Sequence, residues 1–497
     1  MKKRKIVSSF FSNLDEQQKA QIGSFLKKYR EHLDLGASDA SLIVSDAKNA
    51  LVSLTERGVG FDTALRRLSS ENLGGFYAHK AVSWYPLDDA AKVYPMSLRN
   101  GKMPIFRLSC YLNEDVDPAI LQIALDFTIK RFPSFATIVR KGFFWHYLDS
   151  VKRRFAVIED TGVPCQPLKI TSVGSQSFRV LFYRNRISVE FFHVLTDGTG
   201  GMVFLKTLVA EYLNILGASP ARGNGVLDVN EAPRTGEVAN EFERLNPKTE
   251  KTGGLSGPPA LHMGGKLSKH TPCKVVQLVY DSKALSDICH GMGISMTALM
   301  LSLMFLAQKS AVETDGRMMQ IQVPVNMRKF FDKSETLRNF SMYCSIDLGL
   351  SDIEDLKKIS AEVTRQLKER SAYGAMAQMM TGSRRLVRSV RFIPLAIKGP
   401  IVKIVYGFLG DNRFTNTLSN LGRIDMPAEY ADYISGFDFV LGTCVVSRAS
   451  CALCSYGNNT VLSISKNTRD PSFEERLRAL SEELGLEVQT KESPLYG

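Results

Sequence analysis

Two kinds of segment alternate along this sequence, and the alternation restricts its fold more than any other feature. Short apolar runs with a period of two, typical of β-strands, include RFAVIED, SFRVLFYRN and RISVEFFHV. Among them stand segments with the apolar spacing of amphipathic helices, such as DPAILQIALDFTIKRFP and GGMVFLKTLVAEYLNIL. The sequence therefore predicts a mixed α/β protein.

Residues 217–272 interrupt this alternation. Of these 56 residues, 15 are Gly or Pro, and only Phe242 is aromatic. Such a stretch cannot bury much apolar surface, so we expect a linker or a long surface loop. It separates a predicted N-terminal lobe at 77–216 from a predicted C-terminal lobe at 273–497.

Residues 1–76 differ from both lobes because their pattern is helical throughout. The first clear helix follows a candidate cap at Ser12 or Asn13. Its apolar side chains share one face: Ile22, Phe25, Leu26, Tyr29 and Leu33. Further helices are expected at 41–57 and 61–68. We predict a small helical appendage, separable from the main body and packed on it.

The composition is that of a soluble globular protein, with 497 residues, 44% of them hydrophobic and 23% charged. The sequence contains no charge-free run of 18 apolar residues, which disfavours a membrane-spanning helix. The basic N-terminus lacks the apolar segment of a secretion signal. We therefore expect a cytoplasmic protein.

The net charge of +12 favours anionic partners. Three classes remain open: phosphate-bearing small molecules, acidic carrier proteins and anionic membranes. Nucleic acid is not expected, because the sequence has no zinc-finger spacing, no RNP-like aromatic motif and no basic helix leading into heptads.

The eight cysteines occur at a background frequency, which indicates reduced thiols. One pair, Cys451 and Cys454, has the CxxC spacing of a zinc or redox site. A structural zinc ion needs four ligands, and Cys444 is the only other cysteine nearby. Because VVSRASCALCSY has the pattern of a strand, we expect these cysteines to be buried in a sheet, with no metal.

One strand-like run ends in a histidine that is followed by an aspartate and several glycines, in FFHVLTDGTGG. His193 has the same parity as Val189 and Phe191, so it lies on the apolar face of the strand. The glycines would allow a sharp turn before a helix that begins near Met202. Asp197 falls in this turn, where it is better placed to bind backbone groups than substrate.

These residues alone leave three roles open for His193: a buried structural residue, a metal ligand or a catalytic base. A metal site with Asp197 would need a third ligand, and the nearest other histidines are His146 and His262. As a base, a neutral imidazole would accept the proton of an attacking hydroxyl near pH 7. Backbone N–H groups around Gly198 would then help to stabilise an oxyanion.

Four segments, in order, resemble motifs of the chloramphenicol acetyltransferase-like superfamily, which includes condensation domains, plant acyl-CoA acyltransferases and alcohol acetyltransferases. HVLTDG resembles the HxxxDG signature, and KRFPSFAT resembles the segment after the first long helix of that family. QVPVNMRKF resembles its "VPVNLR" strand end, and FTNTLSNLGRIDMP its "SNLG" segment. The resemblance extends over residues 84–490 and does not include 1–76.

This resemblance implies two similar lobes, each a mixed sheet flanked by helices, with an active-site tunnel between them. It implies that His193 is the general base and that Asp197 holds the HxxxDG turn through an ion pair with an arginine. Arg131 occupies the family's arginine position and is the first choice for that partner, with Arg328 as the second. The motif also includes Gly198.

Two further residues, Asn420 and Gly422 in SNLG, are expected near the junction of the lobes. The resemblance implies an O-acyltransferase of the alcohol acetyltransferase type, acting on a small-molecule or lipid-like acceptor. Its co-substrate would be a thioester of coenzyme A or of an acidic acyl carrier protein, with no permanently bound cofactor. Two alternatives stay open: amide formation on a carrier-bound substrate, and a non-catalytic binding protein of the same fold.

The stretch from Arg384 to Arg413 combines seven basic residues and one acidic residue with many apolar ones. One interpretation is a helix, a loop broken by proline and a second helix, packed on the second lobe. The other is a surface that lies on an anionic membrane, so that the protein is cytoplasmic but peripheral to the bilayer. In that case Phe392, Ile393 and Leu395 would insert shallowly.

Overall fold

A computed structural model describes residues 2–74, 82–89, 91–98, 103–169, 175–244, 257–312, 316–400, 411–443 and 447–496. Its α-helices are α1 Lys2–Ser12, α2 Glu16–Glu31, α3 Ala37–Glu56, α4 Phe61–Arg67, α5 Tyr94–Ser97, α6 Pro118–Thr128, α7 Gly198–Leu216, α8 Ser282–Met292, α9 Met296–Lys309, α10 Leu356–Arg370, α11 Tyr373–Ser389 and α12 Ser472–Glu483. Its strands are β1 Trp84–Pro86, β2 Ile105–Leu112, β3 Thr137–Lys141, β4 His146–Ser150, β5 Val157–Glu159, β6 Phe178–Tyr183, β7 Arg186–Phe192, β8 Lys274–Asp281, β9 Met319–Asn326, β10 Ser341–Leu348, β11 Asn416–Arg423, β12 Ile434–Leu441, β13 Ala449–Tyr456, β14 Asn459–Lys466 and β15 Val488–Glu492.

The first lobe is built on a five-stranded sheet in the order β12-β2-β7-β6-β5. β2 and β7 are antiparallel neighbours in which Ile105 lies opposite Phe192. Helices α6 and α7 pack against each other, and α7 packs on β2. Asp117 caps α6 by accepting a hydrogen bond from the Ala119 N–H, and Pro118 occupies the first position of the helix. These elements bring the C-terminal end of β7 and the start of α7 together.

The second lobe is built on a seven-stranded sheet in the order β10-β9-β11-β13-β14-β8-β15. Helices α10 and α12 pack on α9, which is buried along most of its length. A smaller three-stranded sheet has the order β1-β4-β3. In it β3 and β4 form an antiparallel hairpin, and β1 pairs with the other edge of β4. The predicted α/β architecture, with mixed sheets flanked by helices in two lobes, is confirmed.

The boundary predicted at residue 273 does not divide the lobes, because β12 belongs to the first one. Phe437 of β12 lies opposite Cys110 of β2, and Phe439 contacts the Phe106 ring with centroids 6.2 Å apart. The edge of β2 would otherwise expose unpaired N–H and C=O groups. Residues 273–497 therefore contain the second lobe and one strand of the first.

The predicted helical appendage is present, but it is not separable from the first lobe. Helix α3 packs on α6, and side chains such as Leu51 belong to the same buried core as that helix. Arg154 of the lobe donates to the carboxylate of Asp46 in α3. The predicted cap at Ser12 or Asn13 is wrong: Asp15 caps α2 in a capping box with Gln18.

Residues 217–244 and 257–272 are mostly irregular, as predicted for a linker or loop, but part of the stretch is buried. The Phe242 ring lies in the core of the second lobe, 5.1 Å from the ring of Phe340. Single apolar anchors of this kind fix an irregular segment without giving it a helical or strand period. Residues 245–256 lie outside the described residues.

Cys451 and Cys454 are buried free thiols in β13, which confirms the prediction from their strand pattern. Cys444 lies outside the described residues. Within the described ranges, no group of three or more His, Cys, Asp or Glu side chains is arranged to hold a metal ion. No single described helix has the length and hydropathy of a membrane span, although the bent pair α8 and α9, at 88° to each other, meets these criteria jointly.

Replacing Leu51 with Ala should lower the free energy of unfolding by about 2–5 kcal/mol, because the residue is 1% exposed and its removal leaves a cavity. Leu42→Ala, on the same helix but 44% exposed, is the matched control and should change it little. Denaturant titration followed by circular dichroism measures both. If the two variants unfold alike, α3 does not contribute to the core of the first lobe.

Candidate functional site

His193 follows the last residue of β7, at the end of the apolar stripe where the sequence placed it. Its backbone N–H donates to the Pro104 carbonyl over 2.9 Å, which continues the pairing of β7 with the segment before β2. The imidazole lies between the rings of Tyr94 and Phe106, with both centroids 5.2 Å away. The residue is only half-buried, so part of it stays accessible to a small molecule.

Asn339, from the loop before β10, holds the histidine from the side of the second lobe. Its Nδ2 atom lies 3.0 Å from the His193 carbonyl oxygen and 3.1 Å from the ring Nδ1. Its Oδ1 atom accepts a hydrogen bond from the Ser341 hydroxyl over 2.9 Å, which fixes the orientation of the amide. The ring and backbone of His193 therefore have a defined position relative to both lobes.

Burial lowers the pKa of His193 from its usual value of 6.5, against the smaller opposing effects of the Asp197 charge and a hydrogen bond to the residue's own backbone. A histidine with a lowered pKa is neutral at pH 7 and has a lone pair for a proton.

Two tautomers fit the contacts at Nδ1. With the proton on Nδ1, the ring donates to its own backbone and Nε2 has a free lone pair. With the proton on Nε2, Nδ1 accepts from Asn339.

Asp197 is fully engaged by backbone groups and one arginine. Its Oδ1 accepts from the Gly200 N–H over 3.1 Å, and this bond caps α7, which begins at Gly198 and not near Met202 as the glycines suggested. Its Oδ2 accepts from the Phe340 N–H over 2.7 Å and from Arg328 Nη1 over 2.8 Å. These contacts agree with the prediction that the Asp197 carboxylate binds backbone groups.

The choice of Arg131 as the partner of Asp197 is wrong. Arg131 is buried at the end of the helical segment after α6, and its guanidinium makes two hydrogen bonds of 2.5 and 2.6 Å to Glu237. Glu237 comes from the irregular stretch between the lobes, and nothing in the sequence pairs it with Arg131. The resemblance to the family's arginine position therefore did not identify the partner of Asp197, and the guanidinium of Arg131 pairs with Glu237 instead.

Arg328, the second choice, is the partner observed. It lies in the short helix Met327–Phe330 after β9, in the segment that resembles "VPVNLR". Besides Asp197, its guanidinium donates to the carbonyls of Thr336 and Arg338 over 2.8 and 2.7 Å. The same side chain thus holds the HxxxDG turn of one lobe and the loop of the other that presents Asn339.

Close approach of the backbone requires glycine at position 200, and none of the glycines in the turn has a left-handed φ. A Cβ atom on Gly200 would lie 2.2 Å from the Leu337 carbonyl oxygen, which is backbone and cannot move aside. A Cβ on Gly198 would lie 2.6 Å from Cδ2 of Leu421, in the SNLG segment. The turn is therefore packed directly against two segments of the second lobe.

The SNLG segment forms a bulged end of β11 beside this turn. Asn420 donates to the Thr297 hydroxyl over 3.0 Å and accepts from the Gly422 N–H over 2.7 Å. Gly422 has a φ of +72°, a conformation that favours glycine. These contacts fix the backbone on both sides of Leu421, whose side chain points toward Gly198. Asn420 and Gly422 therefore act at the lobe junction by holding the backbone in place.

Sequence reasoning missed three residues of the site: Tyr94, Leu337 and Asn339. Each comes from a loop or a single short turn, without periodicity or a motif of its own. The sequence shows only that Asn339 lies shortly after the VPVNMR segment. This position does not predict which way the Asn339 side chain points.

No protein-family model matches the chain. Two uncharacterised proteins, from two strains of Mycobacterium tuberculosis, are each 24% identical to it over 265 residues. The alignment covers 49% of this chain, and it spans only 58% of the length of these curated relatives.

Several solved structures share its fold. Polyketide synthase associated protein 5 from M. tuberculosis aligns with a TM-score of 0.54 and 13% identity, over 80% of this chain and 96% of that one. The trichothecene 15-O-acetyltransferase from Fusarium sporotrichioides aligns with a TM-score of 0.53 and 12% identity, over 81% of this chain and 96% of that one. The first condensation domain of the CDA synthetase aligns with a TM-score of 0.54 and 13% identity, over 81% of this chain and 97% of that one. At these identities the likeness shows a common fold alone.

A double-mutant cycle will test which arginine holds Asp197. Asp197→Asn should lower the free energy of unfolding by about 3–5 kcal/mol, because it leaves the charge of Arg328 buried without its partner. In the double variant with Arg328→Gln the losses should be non-additive by about 0.5–3 kcal/mol, since the two residues are in contact. The matched cycle with Arg131→Gln should be additive. Coupling to Arg131 and not to Arg328 would contradict the observed pairing.

Proposed function

We propose that this chain, which has the two-lobed fold of the chloramphenicol acetyltransferase-like superfamily, transfers an acyl group from a thioester to a hydroxyl. One observation supports this more than any other: a half-accessible histidine with a lowered pKa lies where both lobes hold it by hydrogen bonds. The likeness in fold to an acetyltransferase and a condensation domain agrees with acyl transfer or condensation as the general class of reaction.

In the proposed mechanism His193 carries its resting proton on Nδ1, which donates to its own backbone. The free Nε2 accepts the proton of the acceptor hydroxyl as its oxygen attacks the thioester carbonyl. The tetrahedral intermediate collapses, its C–S bond breaks, and the thiolate takes the proton from Nε2. The products are an ester and a free thiol, and the histidine returns to its first state.

The oxyanion of the intermediate needs donors that are already fixed in place. Helix α7 begins at Gly198 with Asp197 as its cap, so the first N–H groups of a 19-residue helix lie beside the histidine. In the described part of the chain no backbone carbonyl accepts from the Gly198 N–H. We assign part of the oxyanion stabilisation to this group and to the helix dipole.

A hydroxyl acceptor fits this site better than an amine. An amine is mostly protonated at pH 7, and a site for it would place a carboxylate near the base. Both oxygens of Asp197 are already engaged by Arg328 and backbone N–H groups, and the Tyr94 and Phe106 rings cover the imidazole. An uncharged alcohol with an apolar body needs no charged partner in these surroundings, so ester formation is preferred to amide formation.

The donor class is a thioester of coenzyme A or of an acyl carrier protein. Both carry phosphate and suit a chain with a net charge of +12. Such donors are generated inside cells, in keeping with the proposed cytoplasmic location. A purely binding function would not require a neutral, half-accessible imidazole.

Replacing His193 with Ala should reduce turnover by about 10²–10⁴-fold, the usual contribution of a positioned general base. Release of free thiol from acyl-CoA of several chain lengths, with a panel of alcohols, measures the rate. His290→Ala, an exposed histidine on α8, is the matched control and should keep full activity. An unchanged rate in a folded His193→Ala protein would exclude this mechanism, and mass spectrometry of the product separates ester from amide.

The pH profile should show the lowered pKa of His193. Because only the neutral imidazole is a base, kcat/KM should be level above pH 7 and fall as the ring is protonated below its usual pKa of 6.5. The 3′-phosphate of coenzyme A itself titrates at about pH 6, so the profile is measured with an acyl-pantetheine thioester, which lacks this group. With that donor and an alcohol, the acidic limb belongs to the enzyme. A limb centred above pH 7 would contradict the assignment of His193 as a neutral base with a lowered pKa.

A further inference from the structure

Two segments far apart in sequence present their apolar side chains at one exposed place. The first is the turn between β3 and β4, where Phe143 is 73% exposed beside Phe144. The second follows α11, where Phe392 is 72% exposed and Ile397 is also exposed. The Phe144 and Phe392 rings lie 6.3 Å apart, so these side chains form one surface, which we call the aromatic tip.

The aromatic tip is held in shape by buried contacts underneath it. The Leu395 N–H donates to the Phe143 carbonyl over 2.8 Å, which ties the two segments together. The buried Lys398 ammonium lies 3.2 Å from the centre of the Trp145 ring. Leu395 is partly buried, so of the three residues expected to insert, only Phe392 and Ile393 are exposed. Residues 401–410 of this stretch lie outside the described residues.

Basic side chains surround the aromatic tip. Residues 373–400 contain five Lys or Arg residues and no acidic residue. Residues 137–146 contain two Lys or Arg residues and also no acidic residue. Exposed members include Lys141, Arg388 and Arg391, the last of which lies over the Phe392 ring at 4.5 Å. The local potential is positive: the charges of Lys141 and Lys398 add to burial in lowering the pKa of His146 to about 4.

The tip is also connected to the wall of the site. Asp89 pairs with Arg384 of α11 at 3.7 Å and with Lys92 at 2.7 Å. Lys92 in turn lies 5.6 Å from the Trp145 ring, at the base of the tip. Two residues further along the chain, Tyr94 contacts the His193 ring. The segment that contacts the histidine ring therefore also contacts the base of the tip.

We propose that the aromatic tip and its basic rim bind the surface of an anionic phospholipid bilayer. Phe143, Phe392 and Ile397 are 73%, 72% and 57% exposed, so their side chains are free to enter an interface. Protruding rings insert among lipid headgroups, while the surrounding cations meet the negative surface charge. Two copies of the chain would not pair through this face, because their cations would repel each other. The proposal is independent of the acyl transfer reaction.

Co-sedimentation with phosphatidylcholine vesicles, with and without phosphatidylglycerol, tests the proposal on the full chain. We expect binding at low salt to the vesicles that contain phosphatidylglycerol, and loss of binding as salt is raised. Phe143→Ser with Phe392→Ser should weaken it by about tenfold or more, because two apolar side chains no longer enter the interface. Arg388→Glu with Arg391→Glu should weaken it at least as much.

Leu42→Ser, at an exposed apolar position on α3, is the matched control and should bind like the native chain. His193→Ala should also bind like the native chain, so a failure of the proposed reaction is distinguishable from a failure of membrane binding. Three results would overturn the proposal. These are no binding to anionic vesicles, binding that the tip and rim variants leave unchanged, and binding of an acidic acyl carrier protein through these residues without vesicle binding. The last would assign the surface to a protein partner.

Discussion

The ion pair between Asp197 and Arg328 determines the geometry on which the rest of the site depends. The carboxylate caps α7 and accepts a hydrogen bond from the Phe340 N–H, while the guanidinium donates to two carbonyls, of Thr336 and Arg338, in the loop that presents Asn339. Asp197 is buried and the Arg328 side chain is only 11% exposed, and a largely buried charge that loses its partner costs several kcal/mol. The position of His193 and the contact between the lobes therefore rest on the same bond.

The first lobe is completed by segments from elsewhere in the chain. β12 pairs with β2, Glu237 neutralises Arg131, and α3 of the appendage covers α6. Each contact satisfies a group that would otherwise be left exposed or unpaired: a sheet edge, a buried guanidinium and an apolar helix face. Because these segments are scattered along the sequence, the stability of the lobe and the geometry of the site are linked to the folding of the whole chain.

One short segment of the chain contacts both the histidine and the base of the aromatic tip. The segment from Asp89 to Tyr94 pairs with α11, approaches Trp145 and then contacts the imidazole. The same segment therefore links the packing beneath the aromatic tip to the ring that lies beside the imidazole.

The sequence by itself determined what depends on neighbouring residues: the strand that leads into His193, the buried strand cysteines and the α/β class. It also supplied four motifs from which the fold was inferred. The tertiary structure alone decided which distant groups meet: Arg328 and not Arg131 at Asp197, β12 in the first sheet, Asn339 against the imidazole, and Phe144 beside Phe392. Periodicity and capping act within a few residues and can be read locally, whereas a partner across the molecule is chosen by burial, charge neutralisation and shape, which exist only after the chain has folded.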